Sequence, residues 1–288
     1  MKVLLNKIWT FIYSIYYFNF YRSSKVLINE QLRSGIFKLD LNIQDNYVPQ
    51  GICTIKDLIL ISMYDSTHEL NSKVCIIKDG NIIHTTLLDN KAHVGGICYD
   101  DIHDNIWITD KSGTISCYEY QDIKNKSEVS AKYKNVQISG LINISGYKAV
   151  SYITYFNNRL YMGNYNTGAN CKLYSYELNK DGSINLDSIR ENKSYSFTQG
   201  ITFIELDSKI LTFISSSYGI NKSMLRIVDF QTNKVLYKVK MPPMLEQITF
   251  DDNKNLLALF ESNAKIYRKY HFRTHDVLSY KIRRDNNE

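Results

Sequence analysis

The sequence contains no closely spaced pair of cysteines, and this absence excludes two common kinds of small fold. Its five cysteines, an odd number, are scattered along 288 residues. Without Cys-x-x-Cys spacing, neither a zinc knuckle nor a disulfide framework is expected. Most of the cysteines fall within apolar stretches or repeated phrases, so we predict that their thiols are buried and unreactive.

The motifs of two large enzyme classes are also missing. No P-loop is present, and the "HVGG" that begins at His93 is not followed by a helical pattern, so it is not a phosphate-binding loop. The "ISSSYG" at residues 214–219 lacks the flanking glycines of a serine hydrolase. The sequence therefore indicates neither nucleotide-dependent nor serine-nucleophile chemistry.

Positive charge is not concentrated in a single basic face. The formal net charge is +6, but lysine and arginine are dispersed, apart from one cluster at residues 267–284. Runs of like charge at a chain end usually stay solvated. We therefore predict no nucleic-acid partner.

The apolar run at the N terminus is too short to cross a bilayer. It covers residues 8–18, flanked by Lys2, Lys7 and Arg22, whereas a transmembrane helix needs about 20 residues. It resembles a signal peptide without a small-x-small cleavage site, and its aromatic content suits an interfacial anchor. We predict a signal-like or membrane-associating segment at residues 1–30, and a secreted or membrane-associated protein. A buried first helix or strand is the alternative.

A short phrase occurs five times in the chain. Its copies are "VPQGICTI", "HVGGICYD", "AVSYITYF", "SFTQGITF" and "LEQITFDD", and the isoleucine that they share recurs at intervals of 45, 56, 48 and 47 residues. Periods of this length are typical of propeller blades. The shared residues are Ile52, Ile97, Ile153, Ile201 and Ile248.

Each phrase begins a series of strands separated by turns. A second apolar run follows across a short polar turn, then a third run in every unit, and in some units a fourth. For the last unit the third run is "AKIYRKYH", residues 264–271, and the long second interval contains an extended loop or extra strand pair. We predict an all-β fold, a single β-propeller with five blades of about four strands, over residues 31–288. Residues 35–42 have no partner of their own, so we expect them to close the last blade.

The propeller geometry predicts a polar ring at one face. Strands alternate in direction, so the starts of the first strands and the ends of the second strands meet at the mouth of the central channel. Glycines before the shared isoleucine allow the backbones to crowd near the axis. We predict that a ligand is bound by the residues near these starts, with two tyrosines reaching the mouth: Gln50, His93, Ser151, Tyr152, Gln199, Tyr218, Glu246 and Gln247.

Oxygen-bearing side chains at the ends of the second strands raise the possibility of a metal. Asp65, Asp110 and Glu261 lie thirteen residues after their isoleucines, and Asn164 lies eleven after its own. Converging carboxylate and amide oxygens could hold Ca²⁺. The alternative is that these residues cap turns, as Asp and Asn often do at strand ends. His93 is either a catalytic base or a hydrogen-bonded channel histidine.

Two resemblances bear on function. "FTQG", "SYGINKSMLR" and "VDFQTNKV" in the fourth unit are similar to the plant-type glutamine cyclotransferases, which are five-bladed propellers. Those enzymes carry a glutamate on the second strand of that unit, where this chain has Ser215. Over residues 48–268, "VPQGI", "HVGGI", "SSYGINKS" and "MPPMLEQITF" resemble secreted bacterial propeller proteins of unassigned function. The second resemblance implies a location outside the cytoplasm.

These observations favour a monomeric, exported or membrane-associated propeller that binds a small-molecule or peptide ligand at the mouth of its channel without catalysis. The alternative is an enzyme, either an acyltransferase like the glutamine cyclotransferases or a metal-assisted hydrolase.

Overall fold

Five four-stranded antiparallel sheets form a β-propeller in the computed structural model. The structure describes residues 11–12, 35–37, 45–111, 113–138, 150–168, 171–271, 273–274 and 277–282. Most of the predicted N-terminal segment, residues 1–30, lies outside the described residues. Among those described, no helix is both long and apolar enough to span a bilayer.

The first four blades follow the chain, with the first strand innermost. Blade 1 comprises β2 (Tyr47–Ile55), β3 (Leu58–Asp65), β4 (Lys73–Lys78) and β5 (Asn81–Leu87). Blade 2 comprises β6 (Ile97–Asp100), β7 (Asn105–Thr109), β8 (Thr114–Glu119) and β9 (Tyr133–Gln137). Blade 3 comprises β10 (Tyr152–Phe156), β11 (Arg159–Gly163), β12 (Lys172–Glu177) and β13 (Arg190–Lys193). Blade 4 comprises β14 (Thr198–Leu206), β15 (Lys209–Ser216), β16 (Ser223–Asp229) and β17 (Val235–Met241).

Blade 5 joins the two ends of the propeller. It comprises β18 (Leu245–Phe250), β19 (Asn255–Phe260), β20 (Val277–Lys281) and, as its outer strand, β1 (Gly35–Phe37). The expectation that residues 35–42 close the last blade is confirmed for β1, which pairs antiparallel with β20.

The helical elements of residues 45–282 that the structure describes are short. Helix α1 (Tyr120–Asn125) precedes β9, so the long second interval contains a helix and the outer strand of blade 2. Single 3-10 turns lie at Leu186–Ser188, Glu261–Asn263 and Lys265–Tyr267. The last of these lies within residues 264–271, the segment predicted as the third strand of the last blade, and that prediction is wrong because the segment consists of turns and contains no strand. The third strand is β20, further along the chain.

Apolar cores between neighbouring blades hold the ring together. The shared isoleucines are at most 1% exposed and lie in these cores. The ring is closed by the core between blades 5 and 1, where Ile52 and Ile61 pack with Leu257 and Leu259. The shared isoleucine thus packs at the interface between two blades in every unit.

Closure by β1 leads to a prediction about truncation. Deleting residues 1–38 removes the strand that pairs Gly35 with Leu278 and Phe37 with Val277, leaving the edge of β20 unpaired. We expect Tm to fall by about 5 °C, equivalent to about 2 kcal/mol for a domain of this size. Deleting only residues 1–30 keeps the strand and is the matched control. Equal Tm values for the two truncations would show that β1 contributes nothing to stability.

Candidate ligand-binding site at the channel mouth

A cavity of about 280 Å³ lies where the inner strands begin. Every blade contributes to it because the starts of five inner strands converge around the axis. Five of the eight residues predicted to bind a ligand meet there, together with two residues outside that prediction. The lining residues are Gln50, His93, Gly95, Ser151, Tyr165, Gln199 and Glu246.

Glu246 is the most unusual group in this cavity. Its side chain is 3% exposed, and its Oε1 accepts a hydrogen bond of 3.1 Å from Nε2 of Gln199. Burial raises the pKa of Glu246 well above its usual range, and the nearby Glu261 raises it further. A carboxyl group in this environment binds its proton tightly, because burial penalises the charged form.

Glu261 forms a carboxyl pair with Glu246. It lies in the 3-10 turn after β19, where its Oε2 accepts hydrogen bonds from Nε2 of Gln50 at 3.3 Å and from the hydroxyl of Tyr267 at 2.9 Å. Burial raises the pKa of Glu261 more than these two hydrogen bonds lower it. The amide groups of two glutamines thus point their N–H donors at the two carboxyls.

His93 contributes an imidazole ring that is accessible from the cavity. The ring packs on Tyr64 with centroids 4.2 Å apart. The residue is exposed at the mouth, but the protein atoms packed around its ring, and to a lesser extent His68, lower the pKa of His93. The ring is therefore neutral at neutral pH and provides no positive charge to balance the carboxyl pair.

Tyr165 and Ser151 form the wall contributed by blade 3. The backbone N–H of Tyr165 donates to Oγ of Ser151 at 2.8 Å, and its hydroxyl donates to the carbonyl of Ser217 at 3.2 Å. Burial is the main cause that raises the pKa of Tyr165, followed by Glu246. The tyrosine thus presents an aromatic wall whose hydroxyl proton is already used.

The side chain of Gln247 does not line the cavity at the mouth. It crosses the central channel below that cavity. Its Oε1 accepts hydrogen bonds from the N–H groups of Ile52 and Ile97 at 3.1 and 2.9 Å. Its Nε2 donates to the carbonyls of Ile97 and Ile153 at 2.8 and 3.0 Å. One side chain of blade 5 thus bridges the backbones of blades 1, 2 and 3. An added Cβ on Gly51 would lie 2.4 Å from Oγ of Ser62 and 2.9 Å from Oε1 of Gln247, which explains the glycine there.

A second cavity of about 200 Å³ lies at the opposite mouth of the channel. Gln247 lines it together with threonines of blades 1, 3, 4 and 5, namely Thr54, Thr154, Thr202 and Thr249. Neither carboxyl of the pair reaches this side. The two mouths therefore differ in chemistry, because one contains the carboxyl of Glu246 and the other contains threonines from four blades.

The two tyrosines predicted to reach the mouth do not line the cavity. Tyr152 is fully buried between blades 3 and 4, and its hydroxyl forms a hydrogen bond of 2.9 Å with Oγ of Ser194. Tyr218 packs beside Phe197 at a centroid distance of 5.3 Å, behind Tyr165. Tyr152 is part of a core, and Tyr218 supports the wall from outside.

The structure does not assemble the metal site expected from the second strands. Within the described parts of the chain, no three His, Cys, Asp or Glu side chains lie close enough to hold a metal ion. Asp65 accepts hydrogen bonds from its own loop at Thr67, Glu69 and Leu70. Asp110 accepts from Ser116 and Asn90. Both aspartates order turns, which is the alternative that the sequence left open, whereas Glu261 belongs to the carboxyl pair. Asn164 is buried at the end of blade 3's second strand.

Sequence reasoning missed three tyrosines of the site. Tyr165 lines the cavity, Tyr64 packs on His93, and Tyr267 donates to Glu261. Tyr165 and Tyr64 lie at or just after the ends of second strands, the region where Asp65 and Asn164 were noticed. Their positions beside polar residues at strand ends could have indicated a place in the site. The chain has 23 tyrosines, however, and their number gave no reason to select these.

Comparisons with known proteins found similar solved structures but assign no function to this chain. No family model and no curated protein matches the chain. One similar solved structure is the β-propeller domain of Cps50 (Swd1) from Myceliophteria thermophila, at 9% identity and a TM-score of 0.40, covering 75% of this chain and 63% of that one. Another is the WD40 propeller domain of Doa1, at 11% identity and a TM-score of 0.45, covering 76% and 78%. The chain thus spans less than two thirds of the first. Fold and cavity together define a five-bladed propeller with a candidate site at one channel mouth.

Proposed function

We propose that this propeller binds a small-molecule or peptide ligand in the cavity at the mouth of its channel. The observation that supports this most directly is the convergence of polar side chains from five blades on one cavity, with the buried carboxyl of Glu246 at its wall. Buried carboxyls cost stability unless they are paired, so their presence in a cavity is typical of functional sites. The proposal includes export or membrane association, which is supported by the flanked apolar run at residues 8–18.

Ligand-observed NMR with a library of fragments and tripeptides tests the binding proposal. Replacing Gln199 by tryptophan fills the mouth, because Gln199 lines the cavity at the start of β14. The matched control is Lys209→Trp, which adds the same ring to an exposed position of the same blade at the opposite face. We expect ligands that bind the wild type and Lys209→Trp but not Gln199→Trp. A library without such ligands would reject the proposal.

Catalysis at the same cavity is a second candidate, favoured by one observation. A protonated carboxyl inside a cavity can act as a general acid, and the pKa of Glu246 is raised in this way. The residue aligned with the glutamate of the glutamine cyclotransferases, Ser215, instead donates from Oγ to the carbonyl of Glu246 at 2.7 Å and is buried. Incubation with a peptide that begins with glutamine, followed by mass spectrometry, tests this candidate. Absence of a pyroglutamate product would exclude the cyclotransferase reaction.

Export is tested independently of binding. Cell fractionation and sequencing of the mature N terminus distinguish a cleaved signal, an uncleaved anchor and a retained segment. Full-length chain in the cytoplasmic fraction would contradict the proposed location without affecting the cavity.

A further inference from the structure

In the cavity, the N–H donors of the glutamines have partners, whereas several oxygen acceptors do not. The N–H donors of Gln50 and Gln199 are directed at the two carboxyls. Among the described residues, nothing donates to the side-chain oxygens of these two glutamines or to the second carboxyl oxygen of Glu246. Because Glu246 is 3% exposed and lines the cavity, this unpartnered oxygen has only the cavity from which to obtain a donor. The cavity therefore offers acceptors and needs donors.

The charges around the cavity have a consistent sign. Glu261 lies close enough to Glu246 to raise the pKa of its carboxyl, and burial is the larger cause of that rise. Among the described residues, no lysine or arginine contributes to it. The titratable groups whose pKa is raised by burial and then by the two glutamates are phenols, at Tyr64, Tyr165 and Tyr267, and the imidazole of His93 lines the same cavity. An anionic ligand is disfavoured here, and a cationic one would offset the cost of ionising the carboxyls.

We infer that the ligand carries a protonated amine, which enters the cavity and donates its N–H groups to Glu246, Gln50 and Gln199. An ammonium group supplies three donors and no acceptor, which matches the free groups of the cavity. The aromatic side chain of Tyr165 can add a cation–π contribution. A divalent metal fits less well, since Ca²⁺ requires six to eight oxygen ligands and no group of three candidate ligands exists in the described parts of the chain. This inference rests on the proposed function.

Isothermal titration calorimetry with matched probes tests the inference. The probes are butylamine, the dipeptide Ala-Ala-amide with a free N terminus, its N-acetylated form, and CaCl₂. We expect both free amines to bind, with Kd on the order of 1 mM for groups of this size, and the acetylated dipeptide to bind at least about tenfold more weakly. The stronger of the two free amines identifies whether the natural source is a free alkylamine or a peptide N terminus.

Proton release provides a readout that a merely structural role would not change. Butylamine has a pKa of about 10 and therefore stays charged from pH 5 to 8. Its binding ionises Glu246, so binding should release a proton and tighten as pH rises across this range. Glu246→Gln should weaken butylamine binding at least about tenfold and abolish proton release. Glu205→Gln, an exposed carboxyl of blade 4, is the matched control and should bind as the wild type does.

The outcomes separate this inference from the proposed function. Equal binding of the acetylated and free dipeptides would overturn the ammonium ligand while the cavity remains a binding site. Binding of Ca²⁺ alone, or of none of the four probes, would also overturn it. Failure of the Gln199→Trp experiment, in contrast, would reject the site itself.

Discussion

Replacing Gln247 by leucine is expected to lower the free energy of unfolding by about 4 kcal/mol. The glutamine satisfies four backbone groups that belong to three different blades, at Ile52, Ile97 and Ile153. Leucine preserves the volume but leaves these buried N–H and C=O groups without partners, and each such group costs about 1–3 kcal/mol. The expected loss of about 4 kcal/mol is smaller than the sum of four separate costs, because the energetic effects of neighbouring groups are not additive.

Urea denaturation of the purified variants measures this effect. Gln231→Leu is the matched control, because Gln231 lies in the exposed turn after β16 and its replacement should change stability by no more than about 0.5 kcal/mol. Similar unfolding midpoints for the two variants would show that the bar across the channel is dispensable. A large difference would identify one side chain as the link between the inner strands of non-adjacent blades.

The propeller could be predicted because the repeated isoleucine has a single physical role. Every copy is buried between blades, and a ring of similar blades needs the same residue at the same depth in each interface. The closing strand was predictable for a related reason. The segment at Gly35–Phe37 lies before the first repeat and had no predicted partner strand, and the last repeat lacked an outer strand.

The misplaced strand in blade 5 shows where local patterns fail. The run at residues 264–271 was expected to be a strand because it occupies the third position of its repeat. It instead forms local turns, in which the N–H of Ala264 donates to the carbonyl of Glu261 and the N–H of Tyr267 donates to the carbonyl of Ala264. These turns bring the hydroxyl of Tyr267 to the carboxyl of Glu261. The advantage of that contact exists only in three dimensions, so the sequence of the run alone does not reveal it.

The sequence also could not show that Glu246 lines the cavity whereas Gln247 crosses the channel. Neighbouring strand residues point to opposite faces, so only one of them can line the mouth while the other points elsewhere. A register irregularity between Leu245 and Ile248 decides which residue does so, turning Glu246 to the mouth and Gln247 across the axis. Bulges of this kind depend on the pairing with β19 and leave no clear mark in a single sequence.

Glu246→Gln should stabilise the protein at neutral pH while weakening its proposed binding of an amine. The carboxyl has a pKa well above the usual 4.5 in the folded state. Between pH 4.5 and that raised pKa, the folded state keeps a proton that the unfolded chain releases, so the free energy of unfolding falls as pH rises. Glutamine removes this penalty and can still accept the hydrogen bond from Gln199. We expect a gain of about 2 kcal/mol at pH 8 and none at pH 4.

Urea denaturation of wild type, Glu246→Gln and the exposed control Glu205→Gln across this pH range tests the expectation. The stability difference between wild type and Glu246→Gln should grow with pH, whereas the control should follow the wild type throughout. A variant that is destabilised equally at pH 4 and pH 8 would mean that the carboxyl is structurally required. The expected pattern would instead show that the fold tolerates a destabilising group at its channel mouth. A carboxyl that is retained although it lowers stability points to a role in the site. In Glu246→Gln, the free energy of unfolding should therefore rise while the affinity for the amine falls.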